Sequence, residues 1–140
     1  MKITFKNGDT ALVKEGRSHL KSRAEAFKAF MKAEDLENPG EDLGSFYDYG
    51  LSVDYVARET FTDQTEGYLR YQLSYGGPSE EVRFYFSPGA HEPYRIEFVY
   101  LNWFSGVGFD VSGQEWAQWL ANLFEEVGTV RTEMEKVMEE

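Results

Sequence analysis

Apolar and polar residues alternate most regularly between Tyr68 and Phe86. Leu69, Tyr71, Leu73 and Tyr75 fall on one side, with Tyr68, Arg70, Gln72 and Ser74 on the other; further on, Val82, Phe84 and Phe86 alternate with Arg83 and Tyr85. Successive side chains of a strand point to opposite faces, so the pattern predicts two strands sharing one buried face. Gly76-Gly-Pro-Ser79 between them carries turn residues that supply positive φ and a pre-set dihedral. Leu51 to Ala57 and Tyr94 to Leu101 alternate in the same way and predict two more strands. The link from residue 58 to 67 is too short and irregular for a crossover helix, so 51–57 is expected to pair antiparallel with 68–75.

A helical period takes over elsewhere. Trp116, Trp119, Leu120, Leu123, Phe124 and Val127 recur at three and four behind a capping box at Ser112 and Glu115. Val130, Met134, Val137 and Met138 predict a weaker second helix after Gly128. Between Ser18 and Glu34, Ser22 with Glu25 reads as another capping box, and Phe27, Phe30 and Met31 form the apolar stripe of a basic amphipathic helix. Ahead of it, Asn7-Gly-Asp9 is a tight-turn signal between Ile3–Phe5 and Ala11–Val13, which predicts a short hairpin. Asn102 to Val111 reads as a glycine-punctuated loop with exposed aromatics. The expected fold is a single α+β domain over 1–140: N-terminal hairpin and helix in 1–37, antiparallel β-meander of about four strands in 46–104, and C-terminal helices in 112–139, with both the N-terminal and the amphipathic C-terminal helix on one sheet face.

The length of 140 residues suits one domain with a packed core, and an aromatic fraction of 16% argues against disorder. There is no cysteine, no apolar run long enough to span a bilayer and no apolar signal-peptide core, so a cytoplasmic location is expected. Charge changes the picture more. The net charge is −11, made of +2 over residues 1–40 and −13 over 41–140. Such a surface repels phosphates and anionic headgroups, so direct nucleic-acid or membrane binding is not expected, while docking on a basic protein is compatible with it.

Catalytic chemistry has little to stand on. His19 and His91 are isolated and lack metal-ligand spacing, so no metal, cofactor or enzymatic role is expected. Gly76-Gly-Pro-Ser79 lacks the Lys-Ser/Thr ending of a phosphate loop, and Glu80 and Glu81 follow it. From residue 41 to 66, Glu41, Asp42, Asp48, Asp54, Glu59, Asp63 and Glu66 face only Arg58, a net of −6, with Tyr49 and Tyr55 interleaved. Carboxylates on strands and loops can be spaced like backbone phosphates, and tyrosines supply flat amphipathic contact area. The same pattern also suits an edge strand charged against aggregation.

Four segments carry a family likeness: Asp54-Tyr-Val56, the stretch from Glu66 through Gly76-Gly-Pro-Ser-Glu-Glu-Val-Arg-Phe84 to Tyr85, Arg95-Ile-Glu97, and Asn102-Trp-Phe-Ser-Gly106. Over roughly residues 50–106 the chain resembles a group of small acidic accessory proteins of phages, plasmids and integrated elements. That resemblance implies a mobile-element accessory protein. Such elements carry small acidic inhibitors of restriction or CRISPR systems. Together with the acidic 41–66 region this makes the expected function a non-enzymatic inhibitor that binds a basic, nucleic-acid-handling host defence protein, with the 41–66 charges open to imitation of DNA. The candidate partner-binding residues are Asp48, Tyr49, Asp54, Tyr55, Asp63, Glu66, Tyr75, Glu80, Glu81 and Arg83. The alternative is an assembly module, a homodimer formed through Trp103, Phe104 and Phe109 or through the C-terminal helix.

Overall fold

The computed structural model describes residues 1–40 and 42–138, without the side chains of Met134, Val137 and Met138; Glu41 and residue 139, both named above, lie outside the described residues. Among these residues six strands form one antiparallel sheet in the order β1-β6-β5-β4-β3-β2, two more strands than the pattern predicts. They are β1 (Ile3–Asn7), β2 (Ser52–Val56), β3 (Tyr68–Ser74), β4 (Ser79–Tyr85), β5 (Arg95–Asn102) and β6 (Ser105–Asp110). The helices are α1 (Thr10–Lys32), the single turn α2 (Phe46–Tyr49), α3 (Glu115–Glu126) and α4 (Thr129–Met138). The antiparallel pairing of β2 with β3 is as expected, with Val53 opposite Tyr71 and Tyr55 opposite Leu69.

One face of the sheet carries the core. Leu69, Val82, Phe84, Ile96, Phe98, Val107 and Phe109 are wholly buried there against Leu20, Phe27 and Phe30 of α1 and Trp116 and Leu120 of α3. Phe27 and Trp116 stack at 5.3 Å, which ties the two helices together. α1 lies over β5 and β6, and α4 over β2 and β3. Each fully buried large side chain contributes about 1.5–3 kcal/mol, so this single layer is the main source of stability. Val127, placed on the α3 stripe by its spacing, instead caps the helix and is exposed.

Three local expectations are corrected. Asn7-Gly-Asp9 does not turn a hairpin: the Asp9 carboxylate accepts the Leu12 N–H at 3.1 Å and caps α1, which therefore starts a dozen residues early and absorbs Ala11–Val13 and the Ser22–Glu25 pair. The Ser112 hydroxyl does not cap α3; it accepts the Ile96 N–H at 2.8 Å, and the helix begins after Gln114 with no side-chain cap. The 102–111 segment is mostly strand β6. Its glycines mark close approach rather than a loop, because a Cβ on Gly108 would sit 2.6 Å from the Phe5 ring, which crosses that surface from β1. Phe109 is accordingly buried, which removes it from any exposed assembly surface.

Candidate partner-binding surface

The acids expected to face a partner divide into paired and unpaired sets. Asp54 lies on the edge strand β2, but its carboxylate takes two hydrogen bonds from Arg70, at 2.8 and 3.0 Å. Glu66 accepts from the Tyr94 hydroxyl and from Arg95 Nη2 at 2.9 Å, and these bonds hold its carboxyl below the ordinary range despite partial burial. Glu80 and Glu81 are adjacent on β4 and so point to opposite faces. Both are buried, at 4% and 3% exposure, which removes them from a contact surface.

Glu80 points under α1. It accepts Arg23 Nη2 at 2.7 Å, Arg23 Nε at 3.2 Å and Ser74 Oγ at 2.8 Å, with His19 Nδ1 at 3.0 Å. Burial works to raise its pKa, and the bonds from Arg23 and Ser74 outweigh it and leave the carboxyl below its ordinary value. The Arg23 guanidinium also lies over the Tyr49 ring, so Tyr49 is a packing residue of the helix layer, as half-buried Tyr55 is at the β2 edge.

Glu81 faces the uncovered side of the sheet, where Arg83 Nε reaches it at 2.9 Å. Arg83 covers the Tyr68 ring at 4.6 Å, Arg95 covers Tyr85 at 4.0 Å, and the Tyr85 hydroxyl donates to Glu97 at 2.9 Å. Burial and the Glu97 charge push the Tyr85 hydroxyl up to about 12. Tyr68, Arg83, Tyr85, Arg95 and Glu97 floor an open groove of about 490 Å³, bounded by the 61–66 loop and by Thr4, Phe5 and Leu101. Its charges are satisfied mainly by one another, so the groove is a cross-linked polar layer that stiffens the face on which the loop rests.

That loop is tied together by its own hydrogen bonds. Gln64 pins it with three side-chain bonds: its amide donates to the carbonyls of Ala57 at 3.0 Å and Glu66 at 2.8 Å and accepts the Phe61 N–H at 3.0 Å. Glu59 N–H donates to the Gln64 carbonyl at 2.8 Å. Glu59 and Asp63 are thereby held at φ of 64° and 60°, a region that L-residues other than Asn and Asp rarely enter, with both side chains exposed. Asp48 is exposed on α2, next to the start of β2. Among the described residues Asp48, Glu59 and Asp63 have no ion-pair partner; Asp48 and Glu59 flank the two ends of β2, and Asp63 lies on the loop that borders the groove.

No protein-family model, curated protein or solved structure matches the chain. The site therefore has to be read from its own geometry. Ser74 Oγ and His19 Nδ1 both engage Glu80 rather than each other, and His91 lies elsewhere, 2.6 Å from Glu125. Among the described residues no three His, Asp or Glu side chains are grouped to hold a metal ion. No helix is long and apolar enough to cross a membrane among them.

Tyr75 is 83% exposed in the β3–β4 turn, at the opposite end from the acid-bearing loop. Sequence reasoning passed over Gln64 as an ordinary connecting residue. A glutamine inside a polar turn, with carbonyls on both sides, is the one available hint, and it identifies a staple only once the loop is closed.

Proposed function

We propose that this chain is a non-enzymatic accessory protein of a mobile element that docks on, and inhibits, a basic nucleic-acid-handling protein of host defence, through the acidic β2 edge. The observation that carries the reading is the Gln64-stapled loop. It holds Glu59 in a left-handed backbone that glutamate rarely adopts and Asp63 in one that aspartate tolerates, while leaving both carboxylates unpaired and exposed. Rigid, pre-placed charges lose less entropy on docking than flexible ones and favour a partner of opposite sign. The paired carboxylates at Asp54 and Glu66 fix the frame, and Asp48, Glu59 and Asp63 make the contact.

The test is capture from host lysate, elution by a salt gradient and competition with duplex DNA, followed by binding of the purified partner. Exposed charge pairing is screened as the Debye length falls from about 10 Å at 0.1 M salt to about 3 Å at 1 M. A partner that binds nucleic acid, leaves at moderate salt and is displaced by DNA supports the reading. Unchanged affinity of the triple variant Asp48→Lys, Glu59→Lys, Asp63→Lys, with native circular dichroism, would sink it.

A further inference from the structure

The β5–β6 connection is a two-residue turn, Trp103-Phe104, between paired Asn102 and Ser105. Trp103 has φ of 58° and Phe104 does not share the positive sign, so Trp103 occupies the position that glycine normally takes in a II′-type hairpin. Both rings are in solvent, 86% and 94% exposed. The turn is held in place, since Asn7 Nδ2 of the neighbouring strand donates to the Phe104 carbonyl at 3.1 Å. Beside it is the β3–β4 turn: a Cβ on Gly77 would be 3.9 Å from Trp103 Nε1, and that turn displays Tyr75. A strained backbone that displays apolar rings to water is unfavourable for an isolated monomer on both counts.

An open depression with Ala11 and Leu12 as its apolar part lies on the same patch. A cavity of about 370 Å³ opens between the start of α1 and this turn, lined by Asp9, Ala11, Leu12, Glu15, Asn102 and Trp103, among others. A twofold contact requires knob and hole to sit side by side on one surface. Three aromatic side chains of this exposure hide about 500 Å² per copy, from about 150–250 Å² each. Two copies together reach about 1,000 Å², the threshold at which a specific interface holds, at its weak end.

We propose that a second copy of this chain covers the tip: Phe104 of one copy enters the cavity beside Trp103 of the other, and the two Tyr75 rings close the rim. Charge supports a protein occupant over an anionic lipid surface, because Asp9 and Glu15 flank the cavity on a chain of net charge −11. This inference is independent of the acidic β2 edge.

Sedimentation velocity of the full chain from micromolar to millimolar concentration tests it. A monomer–dimer equilibrium with micromolar Kd is expected, tightening as salt screens the repulsion between two acidic copies. Phe104→Ser should weaken it by about tenfold or more, the cost of truncating an interface anchor. Ala11→Trp, which fills the cavity, should do the same, and mixing these two variants should restore part of the association, since one intact knob then meets one intact hole. Monomer at every concentration overturns the proposal. So does a dimer indifferent to both substitutions, or co-sedimentation of the monomer with phosphatidylcholine vesicles through Trp103.

Discussion

Removing Arg23 isolates the most informative interaction in the protein. Glu80 is 4% exposed, and Arg23 is the full cation that reaches it, by two hydrogen bonds at 2.7 and 3.2 Å. Breaking a buried ion pair from one side costs about 3–5 kcal/mol, because the remaining charge stays buried without its partner. Here Ser74 and His19 remain as partners, and Arg23 is itself 20% exposed. Arg23→Ala is therefore expected at the lower end, about 3 kcal/mol. Urea unfolding followed by tryptophan fluorescence reads it as a midpoint shift of about 1.5 M, for a slope of about 2 kcal/mol per molar.

The dependence on pH separates this cause from a packing loss. In the native protein the Glu80 carboxyl is held below its ordinary 4.5, so its contribution is complete above that value and is lost as pH falls through the lowered native one. In the variant the sign reverses. Burial without the guanidinium raises the carboxyl, the folded state takes up a proton more readily than the unfolded one, and part of the lost stability returns on acidification. The penalty should thus be largest at neutral pH and shrink towards pH about 4. Adding Glu80→Gln should recover much of the loss at neutral pH. A penalty that is flat across this range, or is untouched by the second substitution, refutes the argument.

Other positions give independent checks. Gly16 of α1 faces the sheet so closely that a Cβ would lie 2.7 Å from Val107 and 3.1 Å from Phe109; Gly16→Ala should cost about 1 kcal/mol in urea unfolding, overpacking outweighing the gain in helix propensity. Gln64→Ala removes three loop bonds at a half-buried site; hydrogen exchange over 57–66 should accelerate while global stability changes by about 1 kcal/mol or less. Trp103→Gly relieves a left-handed strain of about 1–2 kcal/mol against an unfolded-chain entropy of about 0.4–1 kcal/mol. Its melting temperature should therefore rise slightly, and a fall would remove the strain from the argument.

The buried face of the sheet and the stripe of α3 were legible because burial on one side forces a period, and periods survive without tertiary information. β3, β4, β5 and the β2–β3 pairing followed directly. β6 did not, because its glycines are there for Phe5 to lie across, a contact 101 to 103 residues distant in sequence. α1 was shortened because Asp9 after Asn7-Gly8 satisfies both the hairpin and the helix-cap rules, and only the pairing of β1 with β6 decides between them. Glu80 and Glu81 could have been separated by period alone. Adjacent residues on a strand cannot both face solvent when one side is covered, and His19 and Arg23, four apart on a helix, were available to receive the inward one.

The positions that sequence rules handle worst are the ones with most bearing on binding. Trp103 stands where a tight turn favours glycine, and Glu59 and Asp63 stand in left-handed backbone held by a glutamine staple. None adds to the core, and each is kept in place by contacts that other residues supply. They also lie at opposite ends of the sheet. The Trp103 turn lies beyond Val99, the β5 residue level with Gln72 where β2 begins, and the stapled loop follows Val56, where β2 ends opposite Tyr68. Strand rise separates the turn from the point where the loop departs by about 25 Å. A dimer of the kind proposed, joined through the aromatic turn, would therefore bury none of Asp48, Glu59 and Asp63, and the two surfaces can be altered one at a time.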